Sequence, residues 1–204
     1  MRVTTIEKCG KYKYKVFLDE VYVFWLSWKE LNFWKLKEGI DISKEQFQKI
    51  MKESILEKCK RKAISYLNLS DRTEYEIRQK LKQQLYVEEI VDQTIAYLYR
   101  CHYLDDDRFV RYFIERNRNI HSKRWMEQKL QVKGIKREQL LEYWDEGYSE
   151  EEAIQKAMNR KLKGRKIADR TEREKVLGYL FRQGYSVSNS MRAIKNYEEK
   201  MLNT

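Results

Sequence analysis

Apolar and polar positions alternate along the first 26 residues in a way the rest of the chain does not repeat. YKYKVFL, from Tyr12 to Leu18, has the period of two expected of a strand. VYVFWL, from Val21 to Leu26, is rich in β-branched and aromatic residues and follows directly after Asp19-Glu20. The two runs predict a hairpin, with Arg2 to Glu7 as a possible third strand. Asp-Glu is not an ideal pair for a type I′ turn, so the pattern leaves the turn type open.

After residue 26 the period changes to that of amphipathic helices, and helix starts recur. Ser27-x-x-Glu30, Ser43-x-x-Gln46, Thr73-x-x-Glu76, Ser149-x-x-Glu152 and Thr171-x-x-Glu174 all fit the capping box, in which hydroxyl and carboxyl or amide satisfy each other's backbone donors. Gly39, Gly134, Gly147 and Gly184 fall where helices are expected to stop. Three stretches also resemble one another: TEYEIRQKLKQQLY from Thr73, SKRWMEQKLQVKGI from Ser122 and TEREKVLGYLFRQGY from Thr171. They align on Leu81, Leu130 and Leu180. Ile77, Met126 and Val176 lie four residues upstream; Leu85, Gly134 and Gly184 lie four downstream, followed by Tyr86, Ile135 and Tyr185. Further helical stretches, such as 90–101 and 108–118, lie between the copies. Units this small bury their apolar faces against neighbours. The expected fold is therefore mainly α: an elongated, curved array of three tandem three-helix repeats after a small N-terminal segment containing a β-hairpin. The expected divisions are 1–48, 49–104, 105–148 and 149–204.

Composition sharpens this picture. The 204 residues include no proline, so the commonest helix breaker is missing. The formal charge of +11 points to an acidic partner such as nucleic acid or an acidic protein face. Cys9, Cys59 and Cys101 form neither a disulfide framework nor a CxxC pair and read as reduced thiols. There is no signal-peptide pattern and no long apolar window, so the chain is expected to be soluble and cytoplasmic, with no membrane partner.

The densest candidate chemistry is HYLDDDRFVRYFIERNR, starting at His102. Three adjacent aspartates could hold a divalent cation, but the alternating ligands, glycine and terminal Glu of a calcium loop do not follow. His102 and His121 are the only histidines, and Walker A, HExxH, GxSxG and GxGxxG sequences are absent. These features predict no enzyme, no metal and no cofactor. As structure, Asp105, Asp106 and Asp107 cap a helix beginning near Arg108 and meet its positive end. Phe109, Val110, Phe113 and Ile114 form its buried stripe, with Arg108, Arg111 and Arg118 on the other side.

The stretch YLDDDRFVRYFIERNR resembles the hallmark of the RecX family, regulators of the RecA recombinase. AISYLNLSDRTEYEIRQKL is similar to that family's first repeat opening, and QKLQVKGI to its second repeat end. The resemblance runs from about Lys58 onward, and the N-terminal hairpin is similar to the extra segment of longer members. The chain departs from the family pattern at Val110, where Ala is common, at NIHSKRW in place of a Lys-Gly turn, and at Leu85 in place of Gly. The resemblance implies a partner, the RecA filament on DNA, along whose groove the protein lies while hindering ATP turnover and strand exchange.

Two basic runs could meet such a partner. Residues 116–137 set eight basic residues against Glu127 alone, and RKLKGRK at 160–166 has five basic positions of seven. The candidate partner- and DNA-binding residues are Arg108, Arg111, Arg116, Arg118, Lys123, Arg124, Lys129, Lys133, Arg160, Lys161, Lys163, Arg165 and Lys166. DNA, single- or double-stranded, is expected to bind with weak sequence preference. Neutralising about five phosphates lowers log K by roughly 4.5 per tenfold rise in salt on B-DNA. Trp144 is assigned to the core, and Trp125 is open to either a core or a stacking role. A monomer is expected. The competing reading is a stand-alone DNA-binding protein built from tandem helical units, although no recognition helix with base-reading residues stands out.

Overall fold

The computed structural model describes residues 1–144 and 148–202. Gly147, expected to end a helix, lies outside the described residues. Two compact units divide the chain, Met1–Asp105 and Asp106–Thr204.

The first unit opens with strands β1 (Val3–Lys8), β2 (Tyr14–Leu18) and β3 (Val21–Leu26) in one antiparallel sheet of order β1-β2-β3. The third strand is therefore formed. Asp19 and Glu20 have φ of 49° and 68°, the left-handed pair that a type I′ turn requires. Neither residue favours that region, and the turn is held from β1. The Arg2 amide donates to Asp19 Oδ1 at 2.9 Å, and the Glu20 amide donates to Thr4 Oγ1 at 3.0 Å. Val3, Val16, Leu18, Phe24 and Leu26 are buried in the core.

Ser27 starts helix α1 (Trp28–Phe33) with a complete capping box to Glu30. The helix ends at Lys35, in the left-handed region, where the Leu36 amide returns to the Leu31 carbonyl at 2.9 Å. Gly39 does not stop a helix as expected. Its φ of 85° turns a loop back onto the edge of β1, and its amide donates to the Val3 carbonyl at 2.8 Å. Helix α2 (Lys44–Lys49), a π-helical stretch (Ile50–Leu56) and α3 (Glu57–Leu67) run on as one continuous helix. The division expected at residue 48 falls inside it. Helices α4 (Glu74–Gln83) and α5 (Glu88–Arg100) complete the unit, and sheet and helices share one hydrophobic core that reaches to Leu104.

The second unit holds α6 (Asp106–Asn117), α7 (Lys123–Val132), α8 (Arg137–Leu140) with a 3-10 turn at Leu141–Tyr143, then α9 (Glu150–Leu162), α10 (Arg170–Arg182) and α11 (Val187–Leu202). One core gathers Val110, Ile114, Leu130, Ile135 and Leu140; another lies among α9, α10 and α11 around Met158, Leu180, Tyr185 and Ile194. Two starts differ from expectation. Helix α6 begins at Asp106, two residues before Arg108. Helix α10 begins at Arg170, because Asp169 takes the Glu172 amide at 2.7 Å and Glu172 takes the Ala168 amide at 2.9 Å. A carboxylate meets the positive helix end better than the Thr171 hydroxyl would.

The helical repeat is visible in hydrogen bonds. Leu81, Leu130 and Leu180 are each fully buried and accept from the amide five residues on, that of Tyr86, Ile135 and Tyr185, at 3.3, 3.1 and 3.2 Å. The intervening Leu85, Gly134 and Gly184 have φ of 68°, 86° and 89°. This is the Schellman ending, with an αL residue followed by an apolar one that folds back on the helix. Leu85 adopts the conformation where its counterparts are glycine, at a cost of about 1 kcal/mol.

Candidate functional site

Helices α6 and α7 and the turn between them present a row of four rings. Phe109 and Phe113, four residues apart on one helix face, have centroids 6.4 Å apart with planes within 16°. Phe113 continues onto Trp125 at 6.3 Å and 10°, and Trp125 onto His121 at 3.6 Å and 5°. All four rings are half-buried, and Phe109 and Phe113 pack against the core that holds the buried Val110 and Ile114. His121 covers one face of Trp125, with Phe113 offset beside it, so the half-buried indole supports the row.

Cations lie along this row. Lys129 Nζ stands 5.5 Å from the Trp125 centroid, one turn further along α7, and Lys133 Nζ stands 5.3 Å from that of Phe109. The His121 imidazole is held below its ordinary pKa, first by burial and then by Arg160 and Lys129. One residue from each basic run, Lys129 and Arg160, therefore acts electrostatically on this histidine, which lies in the turn before α7. Lys156 on α9 donates to Asn119 Oδ1 at 3.1 Å.

The other expected site residues have different neighbours. Lys123 lies 4.9 Å from the Trp144 centroid and 4.0 Å from Glu127, and Arg111 lies 5.3 Å from the Tyr143 centroid. The Tyr143 hydroxyl donates to Asp107, and burial followed by that carboxylate pushes its pKa up to about 12. Asp107 therefore ties the start of α6 to the turn after α8. Trp144 packs half-buried against the core. Arg118 is 3.7 Å from Glu115, while Arg108, Arg116 and Arg124 are exposed. Lys161 lies 5.5 Å from the Tyr179 centroid. Lys163, Arg165 and Lys166 are exposed around the end of α9, where Lys163 and Gly164 have φ of 51° and 79° and Arg165 Nε donates to the Leu162 carbonyl at 3.3 Å.

The structure thus brings Lys129 and Lys133 onto one aromatic row, with Arg160 near enough to His121 to lower its pKa, and gives Lys123, Arg111 and Lys161 other aromatic neighbours. Sequence reasoning missed His121, on which Lys129 and Arg160 both act. The signal was present as Phe109/Phe113 and Trp125/Lys129/Lys133, each spaced for one helix face. Rings that hold positive donors in place suit a negatively charged surface. Among the described residues, no group of three or more His, Cys, Asp or Glu is arranged to hold a metal ion, and no helix is long and apolar enough to cross a membrane.

Comparison with known proteins agrees with this architecture. The family model for the first three-helix domain of RecX matches residues 59–98. The chain is 27% identical over 193 residues to the regulatory protein RecX of Listeria welshimeri, covering 91% of this chain and 72% of that one. It is 24% identical over 196 residues to the regulatory protein RecX of Caldanaerobacter subterraneus, covering 95% and 98%. A 136-residue match to the regulatory protein RecX of Lactobacillus johnsonii reaches 32% identity but spans 66% of this chain and 49% of the relative. In fold, a crystal structure of regulatory protein RecX superimposes with a TM-score of 0.56 at 24% identity, covering 96% of this chain and 98% of that one. A crystal structure of RecX from Lactobacillus salivarius gives 0.52 at 20% identity, covering 69% and 95%. The mainly helical repeat, the small three-stranded sheet and the YLDDDRF junction thus go with a chain that is similar over most of its length to regulatory proteins named RecX, and whose residues 59–98 match the first three-helix domain of that family.

Proposed function

We propose that this protein binds the RecA recombinase filament on DNA and mostly inhibits its ATP hydrolysis and strand exchange in recombination and DNA repair. It acts as a cytoplasmic monomer. The observation that carries the reading is the family's regulatory character joined to the cationic row in the second unit, where Lys129 and Arg160 meet at His121. In this reading the thirteen basic residues divide into a core contact, Lys129, Lys133 and Arg160, and a weaker surround. DNA, single- or double-stranded, is met through its backbone with little sequence preference. The units divide further into a β-rich segment and three helical trios, as the repeat spacing suggests.

Charge reversal tests it. Lys129→Glu/Arg160→Glu should lose co-sedimentation with RecA–DNA filaments at moderate salt while its helical circular dichroism is unchanged. Lys163→Glu/Lys166→Glu should retain most binding. Full binding by the first variant would contradict the proposal. Tight, sequence-dependent duplex binding by the unaltered protein without RecA would favour a stand-alone DNA-binding protein instead.

A further inference from the structure

The first unit carries a second cationic centre, remote in sequence from the runs considered above. The loop between β1 and β2 brings Lys13 Nζ to 4.4 Å from the Trp25 centroid, and α3 brings Lys58 Nζ to 4.1 Å from the same ring. Lys58 is matched by Glu30, whose carboxylate lies 2.9 Å away. Lys13 is not matched: its ammonium donates to the neutral Gln84 side chain at 2.9 Å. Arg61 and Lys62, on the same helix as Lys58, are both exposed, and among the described residues no carboxylate lies within ion-pair distance of them or of Lys13. The charges feel one another. Burial lowers the Lys13 and Lys58 pKa values most, and Lys62 depresses the first further while Arg61 and Lys13 depress the second.

The neutral group at the centre is also a donor. Trp25 Nε1–H is shielded from solvent and has no hydrogen-bond partner among the described residues. Several cations sharing one carboxylate, Glu30, leave an excess of positive charge that selects an anion. The loop indicates which anion. Tyr12, beside Lys13, leaves 67% of its surface exposed, with Lys11 Nζ 5.1 Å from its ring. An exposed ring among lysines matches a base that is free to stack, and duplex bases are not free. An acidic peptide would use the charges but not the ring.

We infer that Lys13, held over Trp25, together with Arg61 and Lys62 on the helix that brings Lys58 to the same ring and Tyr12 in the same loop as Lys13, binds the phosphates of a single-stranded nucleic acid. This site is separate from the cationic row of the second unit and stands without the recombinase reading. RecA is therefore absent from its test.

The full chain is labelled with 5-fluorotryptophan, which gives one fluorine signal for each of its five tryptophans. Trp25→Phe identifies the relevant signal. Oligothymidylate should shift the Trp25 signal in the unaltered protein, and equally in a Lys129→Gln/Arg160→Gln background. Lys13→Gln/Arg61→Gln/Lys62→Gln should abolish the shift and reduce the slope of log K against log salt by about 2. Lys13→Arg/Arg61→Lys/Lys62→Arg should restore both, which separates lost charge from lost folding. Tyr12→Ala should weaken binding about fivefold or more. A Trp25 signal that oligothymidylate leaves unmoved would overturn the inference. So would an equal response to polyglutamate, which would assign the site to acidic protein, or to inorganic phosphate alone, which would assign it to a free anion.

Discussion

His121 stacks flat on Trp125 at 3.6 Å, half-buried, with Arg160 and Lys129 opposing any charge on its ring. The physical consequence is a pH dependence of stability. Its folded pKa lies below the ordinary value of about 6.5, so the unfolded chain binds the proton more readily in between. Stability present above about pH 6.5 should be lost as pH falls through that window. His121→Phe keeps the stack and removes the titration, so the acid-side fall in melting temperature should be smaller in that variant; an unchanged fall would place its origin elsewhere. Gly184 makes a sharper demand. Its φ is 89°, and an added Cβ would lie 2.6 Å from both Ser122 Oγ and Trp125 Cβ. Gly184→Ala should cost about 3 kcal/mol in denaturant unfolding, and a loss under about 1 kcal/mol would refute that packing. Sequence alone marked Gly184 as a helix stop. It could not reveal the approach of α7, which depends on a contact 62 residues away.

Among elements, recurrence made the fold legible. Ile77, Leu81 and Tyr86 and their two sets of counterparts were readable as one apolar pattern, and all nine side chains are buried. Ser27 and Thr73 form full capping boxes, while Ser43 and Ser149 cap with the hydroxyl alone. The start of α10 differs because Asp169, ahead of the expected Thr171, takes the helix end. The continuous helix through 44–67 was not legible, since its Ser43 cap signals a start and nothing in the pattern announces the π-helical passage. Ser122 joins local and distant structure. It caps α7 by taking the Trp125 amide at 3.2 Å and donates to the Gly184 carbonyl at 2.8 Å, entirely buried. Ser122→Ala should therefore cost about 2 kcal/mol or more, against about 1 kcal/mol for the half-buried cap Ser149→Ala. Equal losses would show that the second bond contributes nothing.

For the molecule as a whole, the site was less legible than the fold. The thirteen basic residues were read from density along the chain, but only helix packing selects which of them share a surface: Arg160 and Lys129 both act on His121, while Lys123 and Arg111 have other aromatic neighbours. Lys13 and Lys58 escaped notice because a loop and a helix 45 residues apart place them on one tryptophan. The central claim, that the protein restrains RecA, is met most directly by titrating it into RecA hydrolysing ATP on single-stranded DNA. The account predicts that hydrolysis slows well below stoichiometric amounts and that Lys129→Glu/Arg160→Glu is much less effective. Hydrolysis unchanged at every ratio would contradict it.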